Sequence, residues 1–258
     1  MSWLDRFRRA PPDPEADPGA DALAAFKAGD HATALALWEP LARAGDARAQ
    51  TNIGTCFAQG FGVARDDALA LRWLTLSAEA GYAPGERNLA DFLMAAPEPD
   101  PARAAALYRS AAEKNDALAQ DMLSWMLLEG DAIPGDPAES RAWAEKAAAA
   151  GIPAAMTRMG LIFHHALGVE RDTAAAATWW TRAANRGDAD GQAMLGAALH
   201  LGAGIGRDGV AALAWLLRAN AAGSKLARPF LAPVRGALDP AGVAEARRRA
   251  AEPLEPAA

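Results

Sequence analysis

Six times along the chain two apolar residues stand side by side at a regular interval. Leu37, Trp73, Leu107, Trp143, Trp179 and Trp215 make one column, and Trp38, Leu74, Tyr108, Ala144, Trp180 and Leu216 make the next. A single helical hairpin cannot cover such a stripe by itself, so both columns are expected to be buried between stacked hairpins. A third column, Gly54, Ala90, Ser124, Gly160 and Gly196, holds only small residues. Glycine in a helix costs up to about 1 kcal/mol, which is tolerable where a neighbouring helix must approach closely.

The interval is set by residues that end helices. Gly45, Gly81, Gly151, Gly187 and Gly223 recur 36, 70, 36 and 36 residues apart, with Asn115 dividing the long gap. Glycine and asparagine are the residues that most readily adopt the left-handed conformation closing a helix. Asp46, Asp116 and Asp188 follow three of these closures, each placed to cap the next helix. Inside the units sits a second, Gly-rich turn: Gly60 to Val63, Gly130 to Ile133, Leu167 to Val169 and Gly202 to Ile205. Asp66, Asp136, Asp172 and Asp208 follow these turns as further caps, helped by Pro137 in a first helical turn. Each unit thus reads as helix A, turn, helix B.

The predicted fold is an all-α, right-handed α-solenoid of about six helix-turn-helix repeats of roughly 36 residues, closed by a C-terminal capping helix. The expected organisation is an N-terminal segment and linker, 1–20, then repeat units 21–45, 46–81, 82–115, 116–151, 152–187 and 188–223, then a cap and tail, 224–258. The unit 82–115 is degenerate, its turn carrying Pro97, Pro99 and Pro101, and a local change of curvature is plausible there.

The run Ala49 to Gly81, with Ile53-Gly54, Phe57, Gly60-Phe61-Gly62-Val63, Asp66, Ala70, Trp73, Ala78 and Gly81, resembles the Sel-one-like repeat, a relative of the tetratricopeptide repeat. The resemblance implies a scaffold that holds protein or peptide partners against its A helices. The columns it places on that concave face contain Arg48, Thr51, Gln59, Arg87, Asp91, Asp121, Trp125, Leu128, Glu129, Leu161, His164, His165 and His200. Trp125 reads either as a central anchor for a partner or as packing against a neighbouring repeat. Cysteine-rich members of the family are associated with β-lactams; their paired cysteines are absent here, and that activity is not carried over.

Composition narrows the function further. The 26 basic and 32 acidic residues leave a formal charge of -6, which argues against a general attraction to nucleic acid. Cys56 stands alone, so neither an intrachain disulfide nor a cysteine-based zinc site can form, and a reducing, cytoplasmic setting is expected. Cys56 itself reads as an inert core residue.

Neither a catalytic, cofactor nor metal site is expected. His164, His165 and His200 are the nearest thing to one: a hydrolase there is a minor alternative to histidines of the partner groove. Residues 1–10 set Trp3, Leu4 and Phe7 beside Arg6, Arg8 and Arg9, ahead of an acidic, Pro-rich stretch. They read as a frayed terminus or as a short hook touching a membrane surface or partner. Near the other end Pro229 and Pro233 are expected to break the period. Asp239-Pro240 starts a last helix to about Ala251, whose Arg247-Arg248-Arg249 run is a solvated face or a phosphate contact. Oligomeric state leaves no mark on the sequence.

Overall fold

The computed structural model describes residues 19–254, which form fourteen helices and, among the described residues, no strand. The expected N-terminal hook and most of its linker lie outside the described residues. The chain divides into two compact units between Asp100 and Pro101, within the Pro-rich turn. The first unit contains α1 (Ala20–Lys27), α2 (His31–Arg43), α3 (Ala47–Gln59), α4 (Asp67–Glu79) and α5 (Ala83–Met94). The second contains α6 (Pro101–Glu113), α7 (Ala117–Glu129), α8 (Pro137–Ala149), α9 (Pro153–His165), α10 (Thr173–Asn185), α11 (Ala189–Leu201), α12 (Gly209–Ala221), α13 (Arg228–Gly236) and α14 (Pro240–Ala251).

Helix boundaries follow the local chemistry. Aspartate caps nine of the helices by accepting a hydrogen bond from a first-turn amide, as Asp46 does from Ala49 (2.7 Å) and Asp172 from Ala175 (2.9 Å). The closing residues have positive φ: Gly45 96°, Gly81 75°, Asn115 66°, Gly151 92°, Gly187 84° and Gly223 91°. The second glycine of the inner turn has a different task. A Cβ on Gly204 would lie 1.9 Å from the carbonyl oxygen of Thr173, and one on Gly62 would strike His31. The turn of one hairpin therefore nests on the start of the preceding helix B.

Of the two adjacent apolar columns, only the second is core throughout. Trp38, Leu74, Tyr108, Ala144, Trp180 and Leu216 are at most 2 % exposed. In the first column Leu37 is exposed, and Trp73, Leu107, Trp143, Trp179 and Trp215 are half-buried. This corrects the expectation that both are interior. Neighbours in a helix point about 100° apart, so one stripe cannot centre on both. Three of the four half-buried indoles are covered by a cation three residues on: Lys146 Nζ lies 4.0 Å from the Trp143 ring, Arg182 4.8 Å from Trp179 and Arg218 5.5 Å from Trp215.

The small column receives the buried one. A Cβ on Gly54 would sit 2.7 Å from Leu74 Cγ, one on Gly196 2.7 Å from Leu216 Cγ, and one on Gly160 2.2 Å from Trp180 Nε1. Where helix B offers only Ala144, helix A carries Ser124, whose hydroxyl is 3.1 Å from that of Ser140. A further column escapes sequence reasoning: Gln50, Gln120 and Gln192 are buried, and each Nε2 donates to a carbonyl at the end of the preceding helix B, Ala42 (3.1 Å), Ala112 (3.1 Å) and Ala184 (3.3 Å). The recurrent glutamine four residues after a capping aspartate is the signal for it.

Beyond α12, Pro229 and Pro233 lie within a further and shorter helix, α13, which buries Val234. Pro229 falls in the first turn, where no amide partner is needed. α13 and α14 both pack on α12. The arginine run on α14 is matched by carboxylates, Arg248 pairing with Glu245 (2.7 Å) and Glu252, and Arg249 with Glu245 (2.7 Å).

Two substitutions test this account. Gly160→Ala, favourable by helix propensity alone, is expected to lower stability by about 2 kcal/mol, because Trp180 is held by its own hydrogen bond to the Thr157 carbonyl. Ala166, at the end of α9, has φ 58° where Gly60, Gly130 and Gly202 end α3, α7 and α11. Ala166→Gly is expected to raise stability by about 0.5–1 kcal/mol. Urea unfolding read by circular dichroism measures both.

Candidate functional site

Successive helices A approach one another directly, α3 with α5 in the first unit and α7 with α9 and α9 with α11 in the second, an approach that the helices B between them do not match. Helices A thus line the inner side within each unit. The residues expected on a partner-binding face divide between the two units.

In the first unit Arg48 and Gln59 are exposed, and Arg87 pairs with Asp91 at 3.5 Å across one turn of α5. Thr51, expected on the face, is buried: its hydroxyl lies 2.7 Å from that of Ser77 and donates to the Ala47 carbonyl. It ties α3 to α4 rather than offering itself to a partner. A cleft of about 690 Å³ opens beside it, lined in part by Thr55, Gln59, Asn88, Asp91 and Phe92. Asn88 Nδ2 donates to Thr55 Oγ1 (3.3 Å) and is missed by sequence reasoning; the only signal is Asn52, which holds the same repeat position on α3.

In the second unit Asp121 is also buried rather than presented. It is paired with Arg158 between α7 and α9, both side chains about nine-tenths covered. Removing either partner leaves an unpaired buried charge, so this pair fixes the spacing of the two helices. Trp125 is exposed (37 %), as is Glu129, while Leu128 and Leu161 are half-buried. His164 is half-buried, His165 exposed and His200 half-buried. The rings of His164 and His165 meet edge to face at 4.8 Å, and His164 lies 5.3 Å from the Trp180 ring. Among the described residues no three His, Cys, Asp or Glu side chains converge where they could hold a metal ion.

Burial chiefly, then His165 and Arg171, hold the His164 imidazole below its ordinary pKa of 6.5. Cys56 is buried and its thiol is pushed up to about 11 by desolvation, far from a reactive thiolate. No described helix is long and apolar enough to cross a membrane.

Five stretches, 47–82, 84–116, 117–152, 153–188 and 189–224, match the model of the Sel1 repeat and span more than half of the chain. The chain belongs to the Sel1 repeat family. Among curated proteins none matches it. A Sel1 repeat protein from Oxalobacter formigenes is similar in structure, with a TM-score of 0.80 and 24 % identity over 94 % of this chain and 100 % of that one. The protective antigen c5321 of uropathogenic Escherichia coli, which displays the same fold, gives 0.79 and 26 % over 89 % of this chain, which spans 52 % of that protein. A putative Sel1 repeat protein from Klebsiella pneumoniae subsp. pneumoniae gives 0.51 and 20 % over 77 % of this chain and 97 % of that one. Sel1 repeats generally build protein-interaction scaffolds, and α1 and α2 lie before the first matched repeat.

The environment of His164 has a consequence for stability. Below about pH 6.5 the unfolded chain takes up a proton that the folded imidazole resists, so this group's effect is nil at higher pH and destabilising as pH falls through that window. His164→Gln is therefore expected to lose less stability than the parent between about pH 7.5 and about pH 5, measured as the difference in unfolding midpoints.

Proposed function

We propose that this Sel1 repeat protein is a non-enzymatic, cytoplasmic adaptor that holds a protein or peptide against its A helices. The observation that carries the reading is Trp125: an indole 37 % exposed at the middle of α7, on the inner side, with Leu161 at the same repeat position on α9. Three half-buried indoles of the B helices, Trp143, Trp179 and Trp215, have a cation over the ring, whereas none covers Trp125 among the described residues. A rigid aromatic surrounded by polar groups is where binding energy concentrates in protein interfaces. Its support is a largely preformed surface, so little ordering is required when a partner arrives.

Affinity capture with the full chain, with Trp125→Ala and with a chain lacking residues 1–10, followed by mass spectrometry, tests the reading. Specific proteins are expected with the full chain and the shortened one, and recovery about tenfold lower with Trp125→Ala at unchanged helical content. Equal capture by Trp125→Ala would sink the role of this residue. Capture that depends on residues 1–10 alone would move the function to that segment.

A further inference from the structure

The inner face changes character along the chain. At equivalent repeat positions α3 carries Asn52, Thr55 and Gln59, whereas α11 carries Met194, Ala197 and Leu201. Between repeats such a face is covered by the next helix A. After α11 the helix in the next A position is α13, which starts late, contains Pro233 and packs on α12 without a comparable approach to α11. What remains is a cavity of about 340 Å³ open to solvent, lined by α9, Trp180 of α10, α11 and the turn after it, the α12–α13 loop and α13. Leu201 and Leu226, which border it, are 54 % and 46 % exposed, the former being the most exposed large apolar side chain described.

Among the residues that line this cavity the only formal charge is positive. His164 and Lys225 are its only polar lining residues, and the remainder, Met194 and Phe230 among them, are apolar. No carboxylate lines it, and among the described residues Lys225 has no ion pair. Lys225 is thus the one charged residue lining the cavity, and the neighbouring Asp190 carboxylate is engaged by the Ser224 hydroxyl (2.6 Å).

We propose that this cavity takes an apolar side-chain anchor from a partner polypeptide whose flanking residues are acidic. The proposal rests on the reading of the chain as an interaction scaffold and names the chemistry of what it holds. Lys225 supplies the cation for the flanking carboxylates, and apolar walls supply the pocket for the anchor. The occupant is a polypeptide because Leu201 and Leu226 lie exposed beside the cavity, and covering both requires chain on either side of the anchor. The protein's own Trp3, Leu4 and Phe7 are apolar enough, but Arg6, Arg8 and Arg9 would bring like charge to Lys225.

Fluorescence anisotropy decides it, with two short labelled peptides titrated by the full chain. One sets a Leu-Phe pair among Asp and Glu residues; the other sets the same pair among Lys and Arg. The acidic peptide is expected to bind and the basic one to bind at least about tenfold more weakly. Leu201→Asp and Lys225→Glu are each expected to weaken the acidic peptide about tenfold, Lys225→Glu also improving the basic peptide. Glu79→Gln, exposed on the helix B α4 of the first unit, is expected to change neither. Both altered residues are exposed, so thermal unfolding of the two variants should match the parent and separates binding from folding.

Binding of the acidic peptide that ignores both substitutions, preference for the basic peptide, or no saturable binding would each overturn the proposal. A chain that fails here yet loses captured proteins on Trp125→Ala remains a scaffold whose partner is held elsewhere. Failure in both experiments removes the scaffold reading as well.

Discussion

The fold depends on a size match inside its α3–α4, α9–α10 and α11–α12 hairpins. A residue without a side chain on helix A lets a bulky residue of helix B lie directly against the backbone: Leu74 over Gly54, Trp180 over Gly160, Leu216 over Gly196. Each bulky side chain is essentially withdrawn from water, a contribution of about 2–3 kcal/mol per site that outweighs the propensity cost of the glycine beneath it. The α7–α8 hairpin shows the rule by inverting it. There the bulky residue is replaced by Ala144, and the space is taken up by the Ser124–Ser140 hydroxyl contact.

A second device joins hairpins to each other. At each of three junctions an aspartate caps the incoming helix A, and the glutamine four residues later donates to a carbonyl near the end of the outgoing helix B. The two side chains satisfy backbone groups that helix ends otherwise leave without partners. Together with the turn glycines that nest on the preceding helix B, they set the step from one hairpin to the next and so the inner face on which Trp125 is displayed.

Much of this was legible in the sequence because the residues concerned have no substitutes. Only glycine and asparagine close helices cheaply at positive φ, and aspartate is among the best caps, so Gly151, Asn115 and Asp172 announce their roles. The candidate face was less legible. Thr51 and Asp121 are polar residues at repeat positions read as inner-facing, but small or oppositely charged neighbours, Ser77 and Arg158, draw them into the helix interfaces. Periodicity alone does not see such pairings. The same is true of Trp143, Trp179 and Trp215: their hydrophobicity is plain, but the cation three residues away over each ring is a pairing, not a period. α13 was hidden because proline reads as a break, although in a first turn it is no obstacle.

The locality of the size match bears on how such a chain evolves. Since the glycine and the bulky residue it accommodates lie within the same few dozen residues, duplication of one hairpin copies a lock together with its key. The contacts between copies are another matter: a buried pair such as Asp121–Arg158 belongs to two successive hairpins, so a new neighbour must bring the matching charge.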